Sequence, residues 1–269
     1  MPRLGVLGWP VAHSRSPAMH TAALRELGLD AEWSYQHLPV PPHLFEETVR
    51  ALPRAGFAGA NVTVPHKEAA LALADTADAS ARAIGAANTL SFAGGREGFS
   101  IHADNTDAPG LLAALPRDPR GARAVVLGAG GSARAAAWAL REAGAARVSV
   151  WNRTTQRARE LAGELGVEVV EGPLPSFDLL VHCTAAGLAA GSDQLKDLPV
   201  DDDALNVGVH VVDLVYTAGE TSLVARARAR GAGTVDGLEV LVRQGALSLE
   251  RWTATPAPLE VMRRAARGE

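Results

Sequence analysis

A glycine-rich turn between a strand-like run and a helix-like run constrains the fold of this chain most. The turn consists of Gly128, Ala129, Gly130, Gly131 and Ser132. It follows the apolar run that ends at Leu127, and a helical pattern begins near Ser132. Glycines let a pyrophosphate approach the backbone, and the amides of a helix N-terminus face its negative charge. The pattern Gly-x-Gly-x-x-Ala in this context predicts dinucleotide binding. The alternative is a tight structural turn, and a Walker loop is excluded because no Gly-Lys-Ser/Thr follows.

The next strand-like run predicts which dinucleotide binds. Sites for NAD usually have Asp or Glu at this point, about 20 residues on, to hold the ribose hydroxyls. The stretch "WNRTTQRA" instead supplies Asn152, Arg153 and Thr154, with Arg157 one turn later. A guanidinium matches the geometry of a phosphate, so this pattern favours NADP over NAD. The alternative is that these arginines are solvated residues at a helix start.

Alternating strand-like and helix-like runs predict an α/β fold with two lobes. The first lobe has strand-like runs at 2–8, 32–38 and 59–64 with helices between them, and a hairpin turn is expected at "AGGREG", 93–98. This rhythm predicts a mainly parallel sheet. After the turn-rich loop "DPRGAR" the rhythm restarts as a Rossmann-type lobe, and the chain ends in helices. Ligands are expected at the carboxyl ends of the strands.

Composition excludes several classes of protein. The 269 residues include 26 basic and 30 acidic side chains, and a net charge of −4 favours neither nucleic acid nor an anionic membrane as a partner. The single cysteine, Cys183, cannot form an internal disulfide. Pro10 and His13 interrupt any signal-peptide core, and no apolar run approaches the ~20 residues of a membrane span. These features predict a cytoplasmic globular protein.

The stretch "GANVTVPHKEAA" places Lys67 where a strand-like run ends and a helix begins. A nicotinamide enzyme that reduces a carbonyl needs a proton donor. No Tyr-x-x-x-Lys pair is present, and the eight histidines have no metal-ligand spacing, so we expect no metal. Lys67 is therefore the candidate donor. Asp107, at a second strand-to-helix junction, is its candidate partner or, alternatively, a helix cap.

Six stretches together identify the chain as similar to the shikimate dehydrogenase family. They are "HSRSP", "NVTVPHK", "ANTL", "NTDAPG", "GAGGSARA" and "WNRT", in that order, and "DLVY" and "GLEVLVRQGALSLERWT" extend the match. The resemblance implies NADPH-dependent, reversible reduction of 3-dehydroshikimate to shikimate in the chorismate and aromatic amino-acid pathway. It also implies a substrate-binding domain at 1–106, an NADP-binding domain at 107–237, and helices at 238–269 that return to the first domain.

The resemblance also implies the role of each site residue. Lys67 and Asp107 would be the catalytic pair. The substrate would contact Ser14, Ser16, Thr63, Asn88, Tyr216 and Gln244. NADP would contact Gly128, Ala129, Gly130, Gly131, Ser132, Asn152, Arg153, Thr154, Arg157 and Gly237. The partners expected are therefore small molecules, with the protein acting as a monomer or homodimer.

Several alternatives remain at this point. Ser14 could be a loop serine, Ser16 a helix cap, Thr63 an ordinary strand residue and Gln244 a core amide. A quinate/shikimate dehydrogenase with relaxed substrate use is the nearest rival, and a non-catalytic NADP-binding regulator is a rival of another class. His182 and Leu188 depart from residues frequent in the family, which bears on the cofactor side.

Overall fold

The computed structural model describes residues 2–95, 98–184, 186, 198–217 and 219–269. The elements are β1 (Arg3–Gly8), α1 (Ser16–Glu26), β2 (Ser34–Pro39), α2 (Phe45–Ala51), β3 (Gly59–Val62), α3 (Lys67–Leu73), β4 (Thr76–Ala77), α4 (Ala79–Ile84), β5 (Thr89–Gly95), β6 (Gly98–Asp104), α5 (Asp107–Ala114), β7 (Arg123–Leu127), α6 (Gly131–Glu142), β8 (Arg147–Trp151), α7 (Thr155–Leu165), β9 (Glu168–Val169), β10 (Leu179–His182), β11 (His210–Asp213), α8 (Ser222–Ala229), β12 (Gly233–Val235), α9 (Gly237–Thr253) and α10 (Leu259–Arg267). None of the helices described is long and apolar enough to cross a membrane.

The chain divides into two compact units. The first comprises the residues up to Gly110 together with Val242–Glu269, and the second comprises Leu111–Leu241. The sequence predicted domain borders after residues 106 and 237, where α5 and α9 begin. The two units instead divide after Gly110 and after Leu241, four residues later in each case. The first turn of α5 packs with the first unit, and the first turn of α9 packs with the second.

The first unit contains a mixed six-stranded sheet in the order β2-β1-β3-β5-β6-β4. Only β5 runs against its neighbours among the described strands, so the sheet is mainly parallel, as the sequence predicted. All four residues of β3 are buried, which is expected for a strand covered on both faces. The predicted hairpin is formed by β5 and β6, and its turn residues Arg96 and Glu97 lie outside the described residues.

Sequence analysis did not predict β4 and α4. β4 has two residues, which is too short to show a period, and α4 has six. These two elements matter because they connect Lys67 on α3 with Asn88, just before β5. Ala81 and Ile84 of α4 are fully buried, so packing against the rest of the unit holds this connection in place.

The second unit contains a six-stranded parallel sheet in the order β12-β11-β10-β7-β8-β9. Read along the chain this is the 3-2-1-4-5-6 order of Rossmann folds, which confirms the predicted fold class. Val126, Val150, Val181 and Val212 form one face of its core, beneath the helices α6 and α7. The strand order reverses between β7 and β10, and this is where such folds bind dinucleotides.

Candidate active site and nucleotide site

Lys67 is held at the first position of α3 by contacts of the preceding residue. His66 is buried, its Nε2 lies 2.8 Å from the carbonyl oxygen of Val40, and its ring stacks on Phe45 with centroids 4.3 Å apart. Burial lowers the pKa of His66, although the hydrogen bond with Val40 opposes the shift. Since this neighbour is fixed, the Lys67 side chain leaves the backbone in a defined direction, and the residue is 8% exposed.

The Lys67 ammonium meets the carboxylate of Asp107, 40 residues later. Nζ lies 2.6 Å from Oδ2, with 9% and 14% of the two side chains exposed. Asp107 is the first residue of α5, but Asn105 performs the capping there, because its Oδ1 accepts from the amide of Ala108 at 3.2 Å. The capping alternative for Asp107 is therefore wrong. The Asp107 carboxylate is engaged with Lys67 and Asn88 instead.

Asn88 connects this pair to two more polar side chains. Its Nδ2 lies 2.9 Å from Oδ1 of Asp107, 2.9 Å from Oε1 of Gln244 and 2.9 Å from Oγ1 of Thr106. Its Oδ1 accepts from the backbone amide of Thr106 at 2.7 Å. The structure thus brings together four predicted site residues, Lys67, Asp107, Asn88 and Gln244, within the first unit. They offer an ammonium, a carboxylate and two amides to a polar ligand.

A glycine lets Gln244 of α9 lie close against α5. A Cβ on Gly110 of α5 would lie 2.7 Å from Cβ and 2.8 Å from the backbone nitrogen of Gln244, closer than such atoms pack. The two helices therefore touch backbone to backbone. Gly110→Ala would force α9 away from α5, and the hydrogen bond between Gln244 and Asn88 would be lost.

Sequence analysis missed four residues of the same buried cluster. They are Asn61, Thr89, Thr106 and Ser248, and all are at most 4% exposed. Two signals could have found members of this group. Asn61 lies two residues before Thr63 and so faces the same side of an extended chain, and Ser248 lies one helical turn after Gln244.

The remaining substrate candidates of the first unit are Ser14, in the loop between β1 and α1, Ser16, the first residue of α1, and Thr63, directly after β3. Ser16 is not the cap of α1: the helix begins at Ser16, and the hydroxyl of Ser14 accepts from its amide at 3.3 Å. The N-cap position of α1 is occupied by Arg15, and Ser14 lies one residue before it. Thr63 is half-buried, and its methyl carbon would lie 2.5 Å from a Cβ on Gly8.

A cluster of charged groups lies beside Asn105. Asp78, His102 and Asp104 offer ligand atoms within 4.8 Å of one another, and the Arg251 guanidinium lies 3.2 Å from Asp78 and 2.9 Å from Asp104. Burial, and secondly a hydrogen bond with Asp78, raises the pKa of Asp104 to about 7, while Arg251 opposes the shift. Arg251 already supplies the positive charge that a metal ion would bring.

The glycine turn of the second unit is shaped for a close ligand. Gly128 has φ +123°, and a Cβ there would lie 3.1 Å from the carbonyl carbon of Cys183 beyond β10. Around Gly130 a Cβ would meet no atom within 4 Å. The helix α6 begins at Gly131, one residue before the predicted start, with Gly130 as its extended N-cap. Ala129, Gly131 and Ser132 are half-buried at this edge.

The adjoining turn carries the cations. Asn152 Nδ2 donates to the carbonyl oxygen of Thr154 at 3.0 Å, which shapes the turn, and Thr154 is the N-cap of α7. Arg153 and Arg157 are exposed. Arg159, two residues after Arg157, pairs with Glu171 at 2.7 Å, but neither of the other two arginines has an acidic partner within the described part of the chain. Two guanidiniums are therefore available to an anion.

A buried polar cluster fixes the strand ends beside the glycine turn. His182 Nδ1 lies 2.8 Å from Oδ1 of Asp213, and its Nε2 lies 2.6 Å from Oγ1 of Thr184. Asp213 also accepts from Thr221 Oγ1 at 2.6 Å and from the amide of Val215 at 3.0 Å. The buried carboxylate of Asp213 therefore accommodates His182, which differs from the residue frequent in the family. The other departure, Leu188, lies outside the described residues.

Two predicted residues of the second unit, Gly237 and Tyr216, lie near the end of β11 in space or in sequence. Gly237 begins α9, and a Cβ there would lie 2.6 Å from the carbonyl oxygen of Leu214 and 2.9 Å from that of Asp213, so only glycine fits. Tyr216 is half-buried three residues after the strand ends. It belongs to a different unit from the other substrate candidates, and its proposed contact with substrate stays a prediction.

Comparison with known proteins agrees with this arrangement. Three family models match: the shikimate dehydrogenase substrate-binding domain over residues 6–90, the shikimate/quinate 5-dehydrogenase model over 113–190, and the shikimate 5'-dehydrogenase C-terminal domain over 237–267. A shikimate dehydrogenase (NADP(+)) from Methanopyrus kandleri is 43% identical, over 97% of this chain and 93% of its own length.

Solved structures match over the whole chain. Shikimate 5-dehydrogenase from Thermus thermophilus, in complex with NADP(H) and shikimate, is 42% identical with a TM-score of 0.86, covering 100% of this chain and 99% of that one. A ligand-free 5-ketofructose reductase of a Gluconobacter species is 31% identical with a TM-score of 0.84, covering 99% and 98%. The sequence identity and the coverage by the family models together establish that this chain belongs to the shikimate dehydrogenase family.

Proposed function

We propose that this protein catalyses the reversible, NADPH-dependent reduction of 3-dehydroshikimate to shikimate, a step toward aromatic amino acids. The single observation that carries the proposal is the buried Lys67–Asp107 pair, joined to Asn88 and Gln244 in a member of this family. A regulator that only binds NADP would have no use for this pair.

The site residues fit the needs of the reaction. NADPH, when bound, supplies the hydride. The carbonyl oxygen of the substrate then gains negative charge, and Lys67 gives it a proton from Nζ. Asp107 orients the ammonium and stabilises it between turnovers. In the oxidative direction Lys67 accepts the proton of the hydroxyl. Positioned proton transfer of this kind typically contributes about 10²–10⁴-fold in rate.

The polar substrate groups have matching partners. Ring hydroxyls would contact Thr63, Asn88 and Gln244, and the carboxylate would contact the hydroxyls of Ser14 and Ser16. Leaving a buried polar group unpaired costs about 1–3 kcal/mol, so each such contact also discriminates against analogues that lack the group. The contact of Tyr216 with the carboxylate is drawn from the resemblance alone.

The second unit offers matching groups for NADP. The pyrophosphate would bind over Gly128, Ala129, Gly130, Gly131 and Ser132, where a Cβ on Gly130 would meet open space. The 2′-phosphate would bind Arg153 and Arg157, with Asn152 and Thr154 shaping their turn. Gly237 would line the same edge of the sheet. The exposed arginines in place of an acid support NADP over NAD.

The proposal is tested by initial rates of NADPH oxidation with purified protein. We expect turnover with 3-dehydroshikimate and at least about tenfold lower kcat/KM with 3-dehydroquinate, because a pocket built for directed hydrogen bonds rejects a differently substituted ring. Comparable rates with both would favour the quinate/shikimate alternative. No reduction of either ketone, despite tight NADPH binding, would overturn the proposal.

Lys67→Arg is a sharp companion variant. It keeps a cation that can pair with Asp107, but a guanidinium does not give up its proton in proteins. We expect kcat to fall at least about 100-fold while NADPH affinity is kept. We also propose that the protein is cytoplasmic, because a chain with a single cysteine does not depend on an oxidising compartment. We further propose that it acts as a monomer or homodimer. Gel filtration with light scattering tests the oligomeric state.

A further inference from the structure

The hydroxyl of Ser248 lies at the centre of the buried cluster behind the catalytic pair. Ser248 is on α9 and is 0% exposed. Its Oγ lies 2.9 Å from Nδ2 of Asn61, 2.9 Å from Oγ1 of Thr89 and 3.1 Å from Oγ1 of Thr106. It also donates to the carbonyl oxygen of Gln244, one turn earlier, at 3.1 Å. One side chain thus joins β3, β5 and the start of α5 to the turn that carries Gln244.

Counting hydrogens shows why this oxygen is needed. Asn61 Nδ2 carries two hydrogens, and its other acceptors, the carbonyl oxygen of Asn88 and Oγ1 of Thr89, are both at 3.3 Å, so Ser248 is its closest partner. Because Ser248 gives its own hydrogen to Gln244, its oxygen is left to accept from the Asn61 amide and from Thr106, while the single hydrogen of Thr89 goes to Oδ1 of Asn88. Since the residue is fully buried, bulk solvent does not take its place.

The two threonines pass this constraint on to Asn88. Thr89 Oγ1 donates to Oδ1 of Asn88 at 3.1 Å, and Thr106 Oγ1 lies 2.9 Å from its Nδ2. These hydroxyls lie 3.2 Å from each other, so Ser248 closes a triangle with them. The orientation of the Asn88 amide, and hence its hydrogen bond to Asp107, depends on which way these three hydroxyls point their hydrogens.

We propose that Ser248 is a positioning residue for catalysis: its hydroxyl orients the Asn88 and Gln244 amides that face the substrate and the Asp107 carboxylate. The inference rests on the proposed function, since it assigns a role within that reaction. Within the described part of the chain, Ser248 is hydrogen-bonded to neither Lys67 nor Asp107, and it meets Gln244 at the backbone carbonyl and not at the side-chain amide. It acts through Thr89, Thr106 and the Gln244 turn.

The experiment compares Ser248→Thr with Ser248→Val. Threonine and valine have the same shape, so any crowding from the added methyl group is common to both, and the pair differs only in the hydroxyl. We expect Ser248→Thr to have about tenfold higher kcat than Ser248→Val, because small misplacements of reacting groups cost rate steeply. The KM for NADPH should stay within about twofold in both, since the nucleotide residues are untouched.

Ser248→Ala and Ser149→Ala provide the matched truncations. Ser149 is a buried serine (1% exposed) in the second unit, outside the proposed machinery. We expect Ser248→Ala to lower kcat about tenfold and Ser149→Ala to leave it unchanged, even where both lower the melting temperature. Equal kcat for the Thr and Val variants, or wild-type kcat for Ser248→Ala, would overturn the inference. An inactive wild-type protein would instead overturn the proposed function, and this inference with it.

Discussion

In the first unit the candidate site residues come from separate elements and meet through buried hydrogen bonds, whereas in the second unit they follow one another along two turns. Lys67, Asn88, Asp107 and Gln244 span most of the chain, and Asn88 and Gln244 are 156 residues apart. The nucleotide candidates occupy Gly128–Ser132 and Asn152–Arg157, with Gly237 apart from them. The arginines of this second group are exposed.

This difference predicts different responses to substitution. In the first unit each buried side chain supports several others, so a single change should alter the chemical step. In the second unit the exposed arginines are proposed to bind one phosphate, so a change should alter the affinity for NADP and little else. Buried and exposed groups should also differ in their effect on stability.

The largest effect is expected from Lys67→Ala. Loss of the proposed proton donor should lower kcat about 1,000-fold, because positioned acid catalysis contributes on that order. NADPH affinity, measured by quenching of fluorescence, should change less than about twofold, since the nucleotide candidates belong to the other unit. A rise in KM with kcat preserved would mean that Lys67 only binds substrate.

Asp213→Asn tests whether the second unit also depends on a buried polar cluster. Asp213 is 0% exposed and accepts from His182, Thr221 and Val215. Removing its charge should cost about 3 kcal/mol of unfolding free energy in urea. The control is Asp178→Asn, whose pair with Arg123 is partly exposed and should cost at most about 1 kcal/mol. Equal losses of unfolding free energy in the two variants would mean that the burial of Asp213 adds nothing to its contribution.

His20 should make the first unit sensitive to acid. It is fully buried, stacks on Tyr35 at 4.2 Å, and burial lowers its pKa to about 3. In the unfolded chain its pKa is near 6.5, so between these values the unfolded state binds one more proton. Stability from this group is complete above pH 6.5 and is lost as pH falls toward 3.

His20→Phe should remove this acid dependence. From pH 7 to pH 5 the wild-type protein should lose about 2 kcal/mol more unfolding free energy than the variant, measured in urea at each pH. His43→Gln is the control, because that side chain is exposed and should leave the profile unchanged. Parallel pH profiles for wild type and His20→Phe would contradict the buried, neutral histidine.

The smallest of these effects is expected from Arg153→Gln. Removing one charged hydrogen bond to a phosphate should raise the KM for NADPH about tenfold and leave kcat/KM with NADH unchanged. Arg159→Gln is the control, an identical substitution six residues later on α7, but its guanidinium already pairs with Glu171, so it should change the KM for neither cofactor. Equal losses with NADPH and NADH would exclude a role in binding the 2′-phosphate.

The nucleotide turn could be predicted from sequence because its causes are local. Glycine spacing, the strand before it and the helix after it lie within 20 residues, and the only difference is that α6 begins one residue earlier, at Gly131. The α/β fold could be predicted for the same reason, because each strand-like or helix-like run is a local pattern. The two-residue strand β4 was missed because no period can appear over so few residues.

The buried cluster could be predicted only in part because its causes are distant. Ser248 bonds with Asn61 across 187 residues, so no local pattern in the sequence shows that these two side chains meet. Lys67 and Asp107 were singled out by their strand-to-helix positions, but their contact depends on how β3 and β6 lie in one sheet. The Ser16 cap was mispredicted because the turn before α1 lets Ser14 reach the helix amide instead.

A crystal structure of the protein with shikimate and NADP⁺ bound would test the proposed roles of Lys67, Asn88 and Gln244 most directly. We expect the hydroxyl to be oxidised to lie about 3 Å from Nζ of Lys67, with the Asn88 and Gln244 amides bonded to the ring hydroxyls. Shikimate bound with that hydroxyl away from Lys67, and with Asn88 and Gln244 contacting only protein, would contradict it.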